Sequence, residues 1–207
     1  GYPVAELVEK PTRILYPSDE EFERVGYYKY QEIHKWGTGS IETIMQKKDG
    51  TLIDVLLSST PLDRNDWSKG VTFSAVDISE RKQAELQISR FNEIFEQSLN
   101  EIYIFDAETL RFVDVNLGAM NNLGYTLEEM RQMVPHDIKP EITPEEFAEI
   151  VGLLRNGQKQ IVVFETTHQR KDGTVYPVEI HLQLLPEDPP LFVAIILDTS
   201  ERKEEEK

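Results

Sequence analysis

The chain has 207 residues, with 22 Lys and Arg against 38 Asp and Glu, a formal charge of −16 and a pI near 4.7. That balance excludes a phosphate-tracking nucleic-acid binder, whose surface must be locally basic, and the absence of cysteine excludes disulfide scaffolds, thiolate zinc sites, iron–sulfur clusters and cysteine nucleophiles. A hydrophobic fraction of 39% suits packed cores, and the length suits one large domain or two small ones. Along the chain, Trp36-Gly37-Thr38-Gly39 holds a lone G-x-G, which reads as a turn because a predicted strand follows. Lys48-Asp49-Gly50-Thr51 is a hairpin turn, the polar stretch 63–69 a loop, and residues 70–77 a strand containing Val71, Phe73, Ala75 and Val76. Asp77 with Glu80 reads as a capping box, and residues 79–99 contain neither Gly nor Pro. Those 21 residues predict a helix of roughly 30 Å. On it Ala84, Ile88, Phe91 and Phe95 recur at spacings of 4, 3 and 4, a seam able to pair with another helix.

Further on, residues 101–106 and 111–115 are predicted strands around the turn Ala107-Glu108-Thr109. Thr126 with Glu129 forms a capping box, and Thr143, Pro144 and Glu146 open a second helix that Gly157 stops. Phe147, Ile150, Val151 and Leu154 give that helix one buried face. Residues 161–170 and 174–185 are strands around the turn Asp172-Gly173; 186–190 is a loop and 191–197 a last apolar strand. That last run is the longest uninterrupted apolar stretch, far short of the roughly 18 residues of a membrane span. Parity puts Tyr176, Val178, Ile180, Leu182 and Leu184 on the core face of the return strand, with Pro177, Glu179, His181 and Gln183 outside. Two strands, helices, then three antiparallel strands make an α+β domain with helices on one face of a five-stranded sheet.

The chain repeats itself. Gly1-Tyr2 with Glu6-Leu7, Glu42-Thr43 and Lys48-Asp49-Gly50-Thr51 recur 123 residues later as Gly124-Tyr125 with Glu129-Met130, Glu165-Thr166 and Lys171-Asp172-Gly173-Thr174. Asp77-Ile78-Ser79-Glu80-Arg81-Lys82 recurs as Asp198-Thr199-Ser200-Glu201-Arg202-Lys203 at 198 − 77 = 121, so the first copy carries two extra residues, expected within 63–69. A constant register across several unlike motifs implies two homologous domains.

This ordered set of motifs resembles tandem PAS domains, each with its C-terminal PAC portion, over essentially the whole chain. The resemblance implies two PAS-like antiparallel sheets, five-stranded when complete, with helices on one face. It divides the chain into a first domain at 1–78, a linker helix at 79–99, a second domain at 100–200 and the start of an output linker at 201–207. The counterpart of residues 91–123 is absent before Gly1, so the first domain is expected to lack its leading strands, which upstream sequence or another chain would supply. It further implies a non-enzymatic, cytoplasmic sensory module that forms a homodimer through the linker and serves a downstream histidine kinase or diguanylate cyclase. Asp77, Ala84, Ile88, Phe91, Phe95 and Asp198 are the expected signalling and dimer residues, and no nucleic acid or membrane contact is expected.

Chemistry is sparse. None of His34, His136, His168 and His181 has a phosphoacceptor setting, and no His-x-x-x-His spacing or nucleophile constellation is present. A small apolar ligand would sit among Met120, Met130, Phe147, Phe164, Val178 and Ile196, for which ordinary core is the competing reading. No cofactor is expected. The alternatives weighed are a redox flavin with Trp36 at its pocket edge and a haem on His34. A small-molecule carrier and a purely structural interaction domain are the competing functions. Charge is uneven: residues 1–82 carry 11 basic and 14 acidic side chains, net −3, and residues 83–207 carry 11 and 24, net −13, read as solvated acidic faces.

Overall fold

The computed structural model describes residues 1–205; Glu206 and Lys207, the end of the expected output linker, lie outside the described residues. The chain forms two compact units, Gly1–Ser89 and Arg90–Lys207. Among the described residues no helix is long and apolar enough to cross a membrane.

The first unit opens with a short helix α1 (Val4–Leu7) and a longer one, α2 (Asp19–Trp36). Ser18 caps α2 by accepting from the Glu21 amide, and Gly37, at φ +78°, ends it in the left-handed region that glycine adopts without strain. Strand β1 (Gly39–Gln46) follows at once, as the turn reading of the G-x-G required. It pairs antiparallel with β2 (Leu52–Pro61), which pairs with β3 (Val71–Asp77), in the order β1-β2-β3. Tyr16, Val25, Met45, Val55 and Leu57 form the buried core between α2 and the sheet. Val55 pairs with Asp77 and Pro61 with Val71, just as Val178 pairs with Asp198 and Leu184 with Phe192, so the extra residues of the first copy fall within 62–70.

Helix α3 (Ser79–Glu96) leads on from β3. The expected Asp77–Glu80 capping box is corrected: the Asp77 carboxylate accepts from the Ser79 amide at 3.0 Å, an Asx turn preceding the helix. The helix also ends earlier than residue 99. Asn116 donates its side-chain amide to the carbonyls of Phe95 and Asn100 at 3.1 and 2.9 Å, and the Ser98 hydroxyl accepts from the Asn100 amide, which turns the chain out of the helix.

The second unit contains β4 (Glu101–Asp106), β5 (Phe112–Val115), α4 (Leu117–Leu123), α5 (Leu127–Met130) and α6 (Pro144–Arg155). Strands β6 (Ile161–Gln169), β7 (Val175–Leu185) and β8 (Leu191–Asp198) complete a five-stranded antiparallel sheet of order β5-β4-β8-β7-β6, and α7 (Ser200–Glu205) leaves it. Both predicted capping boxes form, at Thr126–Glu129 and Thr143–Glu146, and Gly157 turns the chain after α6 at φ +67°. The parity reading of β7 holds for Tyr176, Val178, Ile180 and Leu182, all buried under α4–α6, while Leu184 is half-buried.

Candidate functional site

The six residues expected to bound an apolar pocket come together in the second unit. Met130, Phe147, Val178 and Ile196 are buried in one core, and Met120 and Phe164 pack partly buried against it. Phe147 and Phe164 line an internal cavity of about 10 Å³, together with Tyr103, Phe105, Lys139 and Ala194. That is room for about one water-sized molecule. The other four fill space rather than enclose it.

The same interior holds a polar cluster that the sequence reading passed over. Alternation along β4 turns Glu101, Tyr103 and Phe105 inward. The Glu101 carboxylate accepts from Tyr103 Oη, from Tyr176 Oη at 2.8 Å and from Asn122 Nδ2 at 2.5 Å. Burial pushes this carboxyl above its ordinary range, and burial beside Glu101 pushes both tyrosine hydroxyls up as well. Arg170 lies 4.0 Å from the centre of the Tyr176 ring and donates to Asn122, which holds the cluster at the β6–β7 end. Lys139, just after a 3₁₀ turn (Pro135–Ile138), is only 3% exposed. It donates to the Pro135 carbonyl at 3.0 Å, and its ammonium lies 5.6 Å from the Phe147 ring centre. Burial lowers its pKa to about 7, opposed by the charge of Glu101. His168 on β6 is fully buried, its ring centre 5.8 Å from those of Tyr103 and Tyr176, with neither ring nitrogen hydrogen-bonded. Burial, then the nearby charge of Lys139, holds it well below the usual histidine value. Parity along β6, which buries Val162, Thr166 and His168, could have marked the histidine as inward; nothing periodic marks Lys139.

The repeated motifs form a second site, at the exit of each unit. In the first, Glu42 of β1 pairs with Arg81 and Lys82 in the first turn of α3, both at 2.5 Å. In the second, Glu165 of β6 pairs with Arg202 at 2.7 Å and Lys203 at 3.1 Å in α7. The paired lysine, first of all, holds each carboxyl below its ordinary value. Asp198 repeats Asp77, accepting from the Ser200 amide at 2.8 Å. Glu6–Lys48 and Glu129–Lys171, at 2.7 and 2.6 Å, tie the leading helix of each repeat to its hairpin. The Glu-Thr and Glu-Arg-Lys motifs are thus two halves of one clamp, which the sequence shows as separate words. On α3, Ala84, Ile88 and Phe91 are exposed, the last two by 62% and 68%, and Phe95 is half-buried.

In the first unit, His34 is exposed and its ring centre stands 4.3 Å from that of Trp67, while Trp36 is 73% exposed. Neither residue points into the unit's apolar cavity of about 260 Å³, whose lining includes Tyr16, Phe22, Val25, Met45, Leu57 and Phe73.

Comparison with known proteins joins these observations. The PAS domain profile matches residues 1–80 and again 100–201. The Sensor protein TdiS of Thauera aromatica is 33% identical over 85 residues, 41% of this chain and 16% of that protein. The Methyl sulfide methyltransferase-associated sensor of Methanosarcina acetivorans is 26% identical over 127 residues, 58% of this chain and 12% of that protein. The chain therefore spans a small part of the length of these relatives. Among solved structures, the PAS domain of an HTR-like protein from Haloarcula marismortui is 27% identical, with a TM-score of 0.50, and the match covers 57% of this chain and 97% of that one. A PAS domain from Colwellia psychrerythraea, 18% identical with a TM-score of 0.50 over 56% of this chain and 99% of that one, shares the fold.

Proposed function

Because the chain belongs to the PAS domain family, we propose that it is a sensory signalling module that receives or relays a signal and passes it along the helix leaving each unit. The observation that supports this most is the duplicated clamp: the same carboxylate, Glu42 or Glu165, grips the first turn of the exit helix in both units. Exposed ion pairs contribute little to stability, so keeping four of them at equivalent places favours a role in orienting the helix. The relatives named as sensors support the same reading.

In this reading the chain has no turnover of its own and serves a cytoplasmic output domain, a histidine kinase or a diguanylate cyclase. The exposed residues Ala84, Ile88 and Phe91, with Phe95, pair the α3 helices of two copies. The near-absence of free space inside the second unit favours relay over carriage of a small molecule. The test is Glu165→Lys in the full-length protein. Basal autophosphorylation or cyclic-dinucleotide synthesis should change while the melting temperature stays put; unchanged output would refute the clamp's role. For pairing, Ile88→Glu with Phe95→Glu should turn a sedimenting dimer into a monomer, because an unpaired charge in an apolar seam costs several kcal/mol. A wild-type monomer would end that part of the proposal.

A further inference from the structure

We propose that the cavity of the first unit binds a small monocarboxylate with an apolar body, whose charge the Lys29 ammonium receives. This deepens the sensory reading by placing reception in the first unit, and it rests on that reading only for what the binding achieves. Binding is measured apart from output, so failure of this site and failure of the clamp are distinguishable.

Three observations meet at this cavity. It offers about 260 Å³ of free space. A dry cavity of about 150 Å³ already holds benzene, so the room suits a ligand of about 8–12 heavy atoms. Its walls include the rings of Tyr16, Phe22, Tyr30 and Phe73, with Met45 of β1 beside them. Lys29 of α2 lines the same space and is 7% exposed.

Lys29 is the group that the packing of the unit leaves unanswered. Its ammonium stands 4.7 Å from the centre of the Phe73 ring and 5.1 Å from that of Tyr30. Among the described residues its side chain makes no hydrogen bond and no ion pair, so only aromatic rings meet the charge. Ring faces offset part of the hydration that a buried ammonium loses. Burial accordingly lowers its pKa, with no neighbouring charge opposing the shift. Glu23 also lines the cavity, but it is exposed and forms no ion pair with Lys29 among the described residues. Lys139 of the second unit differs on both counts: it has the Pro135 carbonyl and the charge of Glu101, and its cavity is only about 10 Å³.

A carboxylate entering the first cavity supplies the missing countercharge and accepts a charge-assisted hydrogen bond from Lys29. Its apolar body covers aromatic walls. Among the described residues Lys29 is the only cation in the lining, which matches a single negative charge rather than a phosphate dianion. A neutral apolar molecule would fill the space and leave the ammonium as it is.

The experiment titrates the wild-type chain, labelled with ¹³C at the methionine methyl groups, with 3-phenylpropionate and with its neutral isostere 3-phenylpropanamide. Met45 is the one methionine of the first unit, and Met120, Met130 and Met133 lie in the second. The expected result is a saturable shift of the Met45 resonance alone, with the amide binding about tenfold or more weakly, because it lacks the charge. Lys29→Leu should remove that preference, and the acid–amide comparison on the wild type stands however the variant folds. Calorimetry on the full-length protein should show the same preference for the acid. No saturable shift at Met45, equal affinity for acid and amide, or binding by this chain that the full-length protein lacks would overturn the proposal; in the last case another segment fills the cavity.

Discussion

Strands β3 and β8 are the same strand twice, and their surroundings differ. By the offset of 121, Val71, Phe73 and Ala75 correspond to Phe192, Ala194 and Ile196. In β8 the three are buried, at 0%, 4% and 1% exposure; in β3 Phe73 is 51% exposed, and Ala75 is exposed as well. The cause is the neighbour. β4 pairs with β8 from Glu101↔Ile196 to Asp106↔Leu191 and brings Tyr103 and Phe105 against the sheet, while β3 is paired only with β2 among the described residues. The cavity of about 260 Å³ in the first unit, with Phe73 in its wall, occupies the corresponding side of its sheet. Apolar alternation therefore sets which face of a strand could be buried, and a partner strand decides whether it is.

The largest expected effect tests that contrast by truncation. Phe105→Ala should cost the second unit about 3–5 kcal/mol, as expected for a fully buried aromatic, and Phe73→Ala should cost the first unit less than about 1 kcal/mol. Both tryptophans, Trp36 and Trp67, lie in the first unit, so their fluorescence follows that unit alone during urea unfolding while far-ultraviolet circular dichroism follows both. Equal costs would break the comparison.

Next comes pH. Lys139 titrates near 10.5 when unfolded and about 7 when folded, so between those values the unfolded chain holds the proton that the folded second unit has lost. Stability contributed at this site is therefore lowest below pH 7 and rises with pH across the window, by a few kcal/mol as an order of magnitude. Above about pH 10 the buried Tyr103 and Tyr176, held protonated, reverse the trend. Lys139→Met should flatten the rise, which unfolding midpoints between pH 7 and 9.5 would reveal. Lys29 in the first unit is buried as well and is shifted the same way by burial, so a slope of the same sign is expected there.

The smallest effect is expected at the clamps. Glu42→Ala and Glu165→Ala remove exposed ion pairs, so melting should barely move, while amide exchange in the first turns of α3 and α7 should quicken to a similar degree in both units. A response in one unit only would mean that the two clamps are not equivalent.

Much of this is legible in the sequence. The hairpins at Asp49-Gly50 and Asp172-Gly173, the caps at Thr126 and Thr143 and the parity of β7 are local signals, and each acts within a few residues of where it is written. What escaped depends on distant partners. The end of α3 is set by Asn116, which reaches the Phe95 carbonyl from 21 residues away. Asp77 looked like a cap because Glu80 stands three residues on, yet its carboxylate bonds the nearer Ser79 amide. The six expected pocket residues share one core, but volume is a property of packing, and only the packed core shows how little is left between them. Lys139 follows a 3₁₀ turn, where neither helical nor strand periodicity assigns a side chain to the interior.

Hydrogen exchange on the intact chain measures the contrast between the two units most directly. With the edge of β3 open, the amides of Val71 to Val76 should exchange markedly faster than those of Phe192 to Leu197, which sit between β4 and β7. Equal, strong protection of both segments in a demonstrated monomer would contradict the account, because some other part of the chain would then have to cover the β3 edge.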